Sequence, residues 1–321
     1  MGPDSLNTLL TKVGLAGEIQ DAAVFPVPHS DLVLVKNLDI FTPIVDEPTI
    51  QGEIAACNVT NDIFAMNVPE ISGMLVFLAI NTNMPMEIAE GMLHGIKYFM
   101  EEKIDSQVLG GHTIYCEWPL IGGEASGFVK KSDIIRKGFV KKGDKLVLTK
   151  PIGLQAIMAG YRLLKEMPEL LGSYSPTELK KSIDFSIDLM ITPNQDVVRT
   201  IHEYDDFSFI HSMSDVTGFG LAGHTREMLQ NSKFSAVIEK VPHIKLSREL
   251  SEELGYAFDD CTCHETAGGM LMAVDPHYIE DFRNTLSTHG VRSWIVGTID
   301  DVQAGLVRVS EKVEYVEVSK L

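Results

Sequence analysis

The chain has 321 residues, of which 45% are hydrophobic and 22% are charged, so two folded domains are possible and a disordered or collagen-like protein is excluded. Its 27 Lys and Arg residues against 45 Asp and Glu residues give a formal net charge of −18, which argues against nucleic acid as a partner. We find no signal peptide and no apolar run long enough to cross a membrane. Because the four cysteines are scattered, we expect reduced thiols and a cytoplasmic protein.

The first half alternates short apolar runs with helical patterns. Residues 32–36 and 74–80 predict strands, since both runs are apolar and bounded by polar residues. Residues 47–66 favour a helix. Residues 84–103 predict a further helix, because apolar side chains recur at steps of three and four residues.

The second half begins with "GDKLVLTKPIG" at 143–153, which predicts a strand followed by a helix that starts at the proline. Two later helices have start signals: Ser175 precedes a proline and has a glutamate in capping-box position, and Thr192-Pro193 repeats this pattern. Further strands are predicted at 235–241, 268–274, 293–299 and 305–310. Both halves mix strands with helices, which predicts two α+β domains, at 1–147 and 148–321.

Four aspartates stand beside apolar or glycine-rich segments that have no evident need for a charge: Asp21, Asp39, Asp62 and Asp215. Taken singly, each is typical of a cap or turn residue. Taken together, they predict converging carboxylates, which would repel one another unless a hard cation such as Mg²⁺ lay between them.

Two glycine-rich segments are candidates for phosphate contacts. Gly110 and Gly111 in "GGHTI" predict either an ordinary tight turn or a turn whose backbone amides approach a phosphate. The segment "SDVTGFGLAGH" at 214–224 predicts a turn from a strand into a helix. It contains G-x-G-x-x-G, but no acidic residue follows at the distance that a dinucleotide site requires, and no P-loop motif occurs.

The order of these segments resembles that in the selenophosphate synthetase (selenide, water dikinase) family. The resemblance runs from "DAAVF" at Asp21 through "LDIFTPIVDEP", "EIAACNVTNDIFAM", "GGHTI", "LVLTKPIG" and "SDVTGFGLAGH" to "CTCHETAGGMLMAV". Several segments, among them "GGHTIYCEWPLIGG", are more similar to the eukaryotic-type branch than to the bacterial one. Single pieces have low specificity, but the ordered set is specific.

The resemblance implies a two-domain fold of the aminoimidazole-ribonucleotide-synthetase type, α/β plus α+β. The sheets of its N-terminal α/β domain form a barrel in a homodimer, and its C-terminal domain is α+β. It implies synthesis of selenophosphate from ATP, selenide and water, with AMP and orthophosphate as the other products. The positions that match the family's Mg²⁺ ligands are Asp21, Asp39, Asp62 and Asp215. The positions that match its ATP contacts are Glu18, Ile19, Gln20, Asp39, Asp62, Gly111, His112 and Thr113.

One part of the family pattern is not found. The family's glycine-rich segment with Cys or selenocysteine and an essential lysine does not precede Asp21, so the catalytic residues stay unassigned. The upstream Lys12 is expected to be a solvated helix residue. A shortened form and a natural homologue without the segment both fit, and so do two alternatives: another kinase or synthetase of this fold group, such as thiamine-monophosphate kinase, and a nucleotide-binding protein without catalysis.

Overall fold

The computed structural model describes residues 3–14, 17 and 19–320. A first helix, α1 (Pro3–Lys12), ends at Lys12, whose side chain is exposed as the sequence predicts. Five strands then form the first sheet, in the order β1-β2-β5-β3-β4. These are β1 (Ala23–Pro26), β2 (Leu32–Phe41), β3 (Gly73–Ile80), β4 (Val108–Tyr115) and β5 (Leu120–Lys130). The pairing is antiparallel except between β3 and β4.

One face of the first sheet is covered by α2 (Pro48–Ala65), and α3 (Met86–Tyr98) packs on α2. The Glu47 carboxylate caps α2 by accepting from the Ile50 N–H at 2.7 Å. The two helices approach closely at glycines: a Cβ on Gly52 would lie 2.0 Å from the carbonyl oxygen of Met92. Buried on almost every side, α2 fixes the position of the polar residues near its C-terminal end.

The second sheet has six strands in the order β11-β8-β10-β6-β9-β7, with only β8 and β11 parallel. They are β6 (Lys145–Leu148), β7 (Ile210–Asp215), β8 (Ser235–Ile244), β9 (Met270–Val274), β10 (Trp294–Asp300) and β11 (Val307–Val318). Its helices are α4 (Leu154–Glu166), α5 (Pro176–Met190), α6 (Gln195–Ile201), α7 (Gly220–Met228), α8 (Ser247–Leu254) and α9 (Ile279–Thr288). Among the described residues, no helix is both long and apolar enough to cross a membrane.

The predicted strands and long helices are present, but two predicted helix starts are wrong. After Pro151 the helix α4 begins at Leu154, because Gly153 takes a left-handed conformation with φ +114° and acts as the N-cap. Before α6 the N-cap is Asn194, not Thr192. The Ser175 cap is confirmed, since its hydroxyl accepts from the Glu178 N–H.

The two sheets are joined by residues 131–144, and α2 contacts β7, α5 and α6 of the second half. The side-chain oxygen Oδ1 of Asn61 accepts from the Asn194 N–H at 3.2 Å, and Oδ1 of Asn58 accepts from the Ala267 N–H at 2.8 Å. The domain boundary at 147/148 stays a prediction. In the structure, that point lies inside β6.

Candidate active site

Three of the predicted aspartates meet where the two halves of the chain join. Asp21 lies two residues before β1, Asp62 lies in the last turn of α2, and Asp215 is the last residue of β7. One carboxylate oxygen from each lies within 4.8 Å of the others. Three separate elements therefore bring acidic groups to one point.

The cluster is electrostatically unsatisfied. Asp215 is fully buried, and neither of its oxygens, nor Oδ2 of Asp21, has a hydrogen-bond partner among the described residues. Burial and the negative charge of Asp21 raise the pKa of Asp215 to about 6. Burial, followed by the charges of Asp215 and Asp39, raises the pKa of Asp62 well above its usual value. Oxygen ligands without donors fit a hard divalent cation such as Mg²⁺.

Asp39 lies beside this cluster, and two side-chain amides donate to its carboxylate. Its Oδ2 accepts from the side-chain amides of Asn37 at 3.2 Å and Asn58 at 3.0 Å. It lines a cavity of about 390 Å³ together with Thr217 and Gly218. Asp39 is therefore oriented by protein groups, whereas neither oxygen of Asp215 has such support among the described residues.

A second cavity opens beside Asp21. It has a volume of about 620 Å³ and is lined by Asp21, by Lys36 and Leu38 of β2, and by Arg136. Asp21 faces this cavity and Asp39 faces the first. Asp21 and Asp39 therefore each border a space that is large enough for part of a nucleotide or for a second substrate.

The glycine-rich turn after Asp215 leads from β7 into α7, as predicted. The Thr217 N–H donates to Nε2 of His224 at 3.1 Å, which fixes the turn against its own helix. Gly220 has φ +67°, and a Cβ there would lie 2.6 Å from the carbonyl oxygen of Cys263. The sequence of the turn thus reflects close backbone packing next to the carboxylates.

Sequence reasoning missed a buried basic group in the same place. The Lys137 ammonium lies 2.6 Å from Oδ1 of Asp21 and 2.6 Å from Oε2 of Glu227. His224 Nδ1 is 3.3 Å from the same oxygen of Glu227, and the Ser214 hydroxyl donates to Oδ1 of Asp21 at 3.0 Å. In the sequence, Lys137 is one of several basic residues between 136 and 145. Nothing in the local sequence distinguishes it from the exposed basic residues nearby.

Two predicted nucleotide contacts, Ile19 and Gln20, lie next to the cluster. The Ile19 backbone exchanges hydrogen bonds with the side chain of Gln230, and the side-chain oxygen Oε1 of Gln20 accepts from the Lys137 N–H at 3.0 Å. This segment is therefore held against α7 and the 131–144 connection. Glu18 lies outside the described residues.

The other predicted contacts lie elsewhere, and the prediction of a turn for them is wrong. Gly111, His112 and Thr113 are exposed residues inside β4, on the edge of the sheet opposite β1. A Cβ on Gly111 would lie 2.1 Å from the carbonyl oxygen of Val76, so this glycine permits close strand pairing. Within one chain, these residues are not brought to the carboxylates.

Two further motif residues have structural contacts. The buried Lys150 of "TKPIG" donates to the carbonyl oxygens of Leu189, Thr192 and Ala267. The buried Glu265 of "CHETAGG" accepts from the N–H groups of Gly153 and Leu154 at 2.7 and 3.0 Å. Both side chains connect loops near the site.

Comparison with known families matches the two halves of the chain separately. Residues 19–129 match the family model described as AIR synthase related protein, N-terminal domain. Residues 141–310 match AIR synthase related protein, C-terminal domain. The two matches correspond to the first and second sheets.

Among curated proteins, the chain is 40% identical over 311 residues to a selenide, water dikinase of Methanococcus maripaludis. The matched region covers 96% of this chain and 90% of the relative. The chain belongs to the selenide, water dikinase family. Members from Caenorhabditis elegans and Homo sapiens are 31% and 28% identical, covering 87% and 93% of this chain and 76% and 68% of the relatives.

The solved structures that resemble the chain show the same two-domain fold. A thiamine-monophosphate kinase described as AaThiL complexed with AMPPCP and TMP has a TM-score of 0.73 at 17% identity, covering 98% of this chain and 94% of that one. A chain of the HypE–HypF complex has a TM-score of 0.73 at 16% identity, covering 96% of both chains. The fold expected from the resemblance is therefore confirmed.

Proposed function

We propose that this protein uses ATP to convert selenide to selenophosphate. In this reaction selenide receives one phosphoryl group, water receives another, and AMP and orthophosphate leave. The proposal is supported by family membership together with one observation: Asp21, Asp62 and Asp215 converge, and Oδ2 of Asp21 and both oxygens of Asp215 are buried without a donor among the described residues.

Asp21, Asp62 and Asp215 would hold Mg²⁺, and Asp39 would complete the set from the adjoining cavity. The ion would neutralise the charge of the polyphosphate, which is the main requirement of phosphoryl transfer. The chain's own contribution is to fix these carboxylates on α2, β7 and the segment before β1. The Asn37 and Asn58 amides orient Asp39.

ATP would place its polyphosphate at the carboxylates, next to the Thr217–Gly218 turn. Of the predicted contacts just before Asp21, Gln20 lines the 620 Å³ cavity. The 390 Å³ cavity beside Asp39 would leave room for the acceptor. Two spaces beside one cation site suit a transfer between two substrates.

We further propose that the protein is a homodimer through the uncovered face of the first sheet. Leu38, Leu75 and Phe128 are exposed on the face opposite α2. A second chain on this face would also give Gly111, His112 and Thr113, which lie on the far strand of this sheet, a route to a partner's nucleotide. Leu38→Glu is expected to convert the dimer to a monomer in sedimentation experiments, whereas Val302→Glu, at another exposed apolar residue, leaves it intact.

The reaction is tested by incubating the protein anaerobically with MgATP and selenide and following phosphorus NMR. The proposal predicts resonances of selenophosphate, AMP and orthophosphate. Binding of MgATP without turnover would instead support a nucleotide-binding homologue. Turnover of thiamine phosphate or a purine intermediate would support another kinase or synthetase of this fold group.

A further inference from the structure

Lys137 is a buried cation in a segment whose other lysines face solvent. Its side chain is 2% exposed, whereas that of Lys142, five residues later in the same connection between the sheets, is 61% exposed. Burying an ammonium group costs several kcal/mol unless its partners have excellent geometry. Such a position requires an explanation from its contacts.

Those contacts connect three parts of the chain. The Lys137 ammonium pairs with Asp21 of the first half and with Glu227 of α7 in the second half, each at 2.6 Å. The Lys137 N–H donates to the Gln20 side chain, beside Asp21. The lysine therefore fixes the segment that carries Asp21 against α7.

The two oxygens of Asp21 are treated differently. Oδ1 has both Lys137 at 2.6 Å and the Ser214 hydroxyl at 3.0 Å. Oδ2 is buried and has no partner among the described residues. A carboxylate held by one oxygen presents the other in a fixed direction.

We propose that Lys137 is a positioning residue for the divalent-cation site. It holds Oδ1 of Asp21, so that Oδ2 is presented to a cation shared with Asp62 and Asp215. The proposal rests on the proposed function in one respect, namely that Asp21 is a ligand of that cation.

A separate metal site at Asp21, His224 and Glu227 is a poorer interpretation of the same residues. Their ligand atoms do lie within 4.8 Å of one another. The Lys137 ammonium, however, already lies against both Asp21 and Glu227. A metal cation at the same place would be repelled by this positive charge. The lysine itself is the cation of this group.

The test is titration of the full chain with Mn²⁺, without nucleotide, followed by the EPR signal of free Mn²⁺. The decisive variant is the double substitution Lys137→Met with Glu227→Gln. It removes one positive and one negative charge and therefore leaves the net charge of the network unchanged. The proposal predicts Mn²⁺ binding at least about 10-fold weaker, in line with the loss of a group that orients a ligand.

The single variants separate positioning from simple electrostatics. Lys137→Met removes a positive charge beside the site, so electrostatics alone predicts tighter Mn²⁺ binding, whereas positioning predicts weaker binding. Lys137→Arg keeps the charge and a donor for Oδ1 and is expected to restore most of the affinity. Lys142→Met is the matched exposed control and is expected to bind as the parent does.

Circular dichroism and gel filtration establish which variants are folded. If Lys137→Met alone does not fold, the charge-neutral double variant is compared with the parent instead. Parent-like or tighter binding in a folded double variant overturns the positioning role and leaves the proposed function intact. A parent protein that binds no Mn²⁺ overturns the cation site, and the role of Lys137 with it.

Discussion

Asp215 and Glu265 are both buried acids in the second half of the chain, yet their surroundings are opposite. Glu265 accepts from the N–H groups of Gly153 and Leu154 at the start of α4, while neither oxygen of Asp215 has a partner among the described residues. Burial raises the pKa of both, to about 8 for Glu265 and about 6 for Asp215, where the charge of Asp21 adds to it. Burial of an acid therefore does not by itself mark a cation site. What indicates a cation site is the absence of hydrogen-bond donors to the carboxylate together with the presence of neighbouring acids.

The largest effect is expected from Asp62→Ala. This change removes one of the three converging carboxylates and should abolish metal-dependent nucleotide binding, with a loss of about 100-fold or more, because even groups that only orient ligands are worth about 10- to 100-fold. Calorimetric titration with MgATP measures it. The exposed acid Asp301, changed to Ala, is the control. If Asp62→Ala binds MgATP as tightly as the parent, the ligand assignment is wrong.

A second test uses the melting temperature to distinguish the role of Asp215 from that of Glu265. Asp215→Asn should raise the melting temperature of the metal-free protein, because it removes a buried group that meets other carboxylates, and it should reduce the stabilisation that Mg²⁺ gives. Thermal unfolding in EDTA and in Mg²⁺ measures both quantities. A lower melting temperature in EDTA with an unchanged response to Mg²⁺ would show that Asp215, like Glu265, stabilises the fold and does not bind a cation.

The pKa of Asp215 gives a pH dependence with a definite sign. A carboxyl whose pKa is raised on folding, from 3.8 to about 6, binds more protons in the native state than in the unfolded state. The metal-free protein should therefore lose stability as pH rises from about 4 to about 6, and Asp62 acts in the same direction. We expect the stabilisation by Mg²⁺ to increase from pH 5 to pH 7. Equal stabilisation across this range in calorimetry would contradict this picture.

The smallest effect on the site is expected from Glu265→Gln. The amide can accept from only one of the two N–H groups, so one buried donor loses its partner at a cost of about 1–3 kcal/mol in the free energy of unfolding. Denaturant unfolding measures that cost. Mn²⁺ affinity should remain within about threefold of the parent, because Glu265 caps α4 and holds no ion. A large loss of Mn²⁺ affinity would show that the contrast with Asp215 is wrong.

Much of this molecule follows from local patterns. The periodicity of residues 84–103 and the alternation around β2 predict their elements because one face of each is buried. Asp21, Asp62 and Asp215 were recognisable as acids beside apolar segments. The convergence itself depends on how α2 packs against β7, which local sequence does not determine.

Other features could not be predicted, for physical reasons. Gly110 and Gly111 are compatible with a turn, and only their pairing with β3 makes them part of a strand. Lys137 is indistinguishable in sequence from exposed lysines, because its burial depends on Asp21 and Glu227, which lie 116 and 90 residues away along the chain. A pairing across such distances is a property of the tertiary fold.

The central claim is that acids from three separate elements share one divalent cation that carries a polyphosphate. A crystal structure of the protein with Mn²⁺ and a non-hydrolysable ATP analogue tests it most directly, since the anomalous signal locates the ion. The account predicts a Mn²⁺ peak bonded to Asp21, Asp62 and Asp215 and to the phosphates of the analogue. Mn²⁺ and phosphates bound away from these three side chains would contradict it.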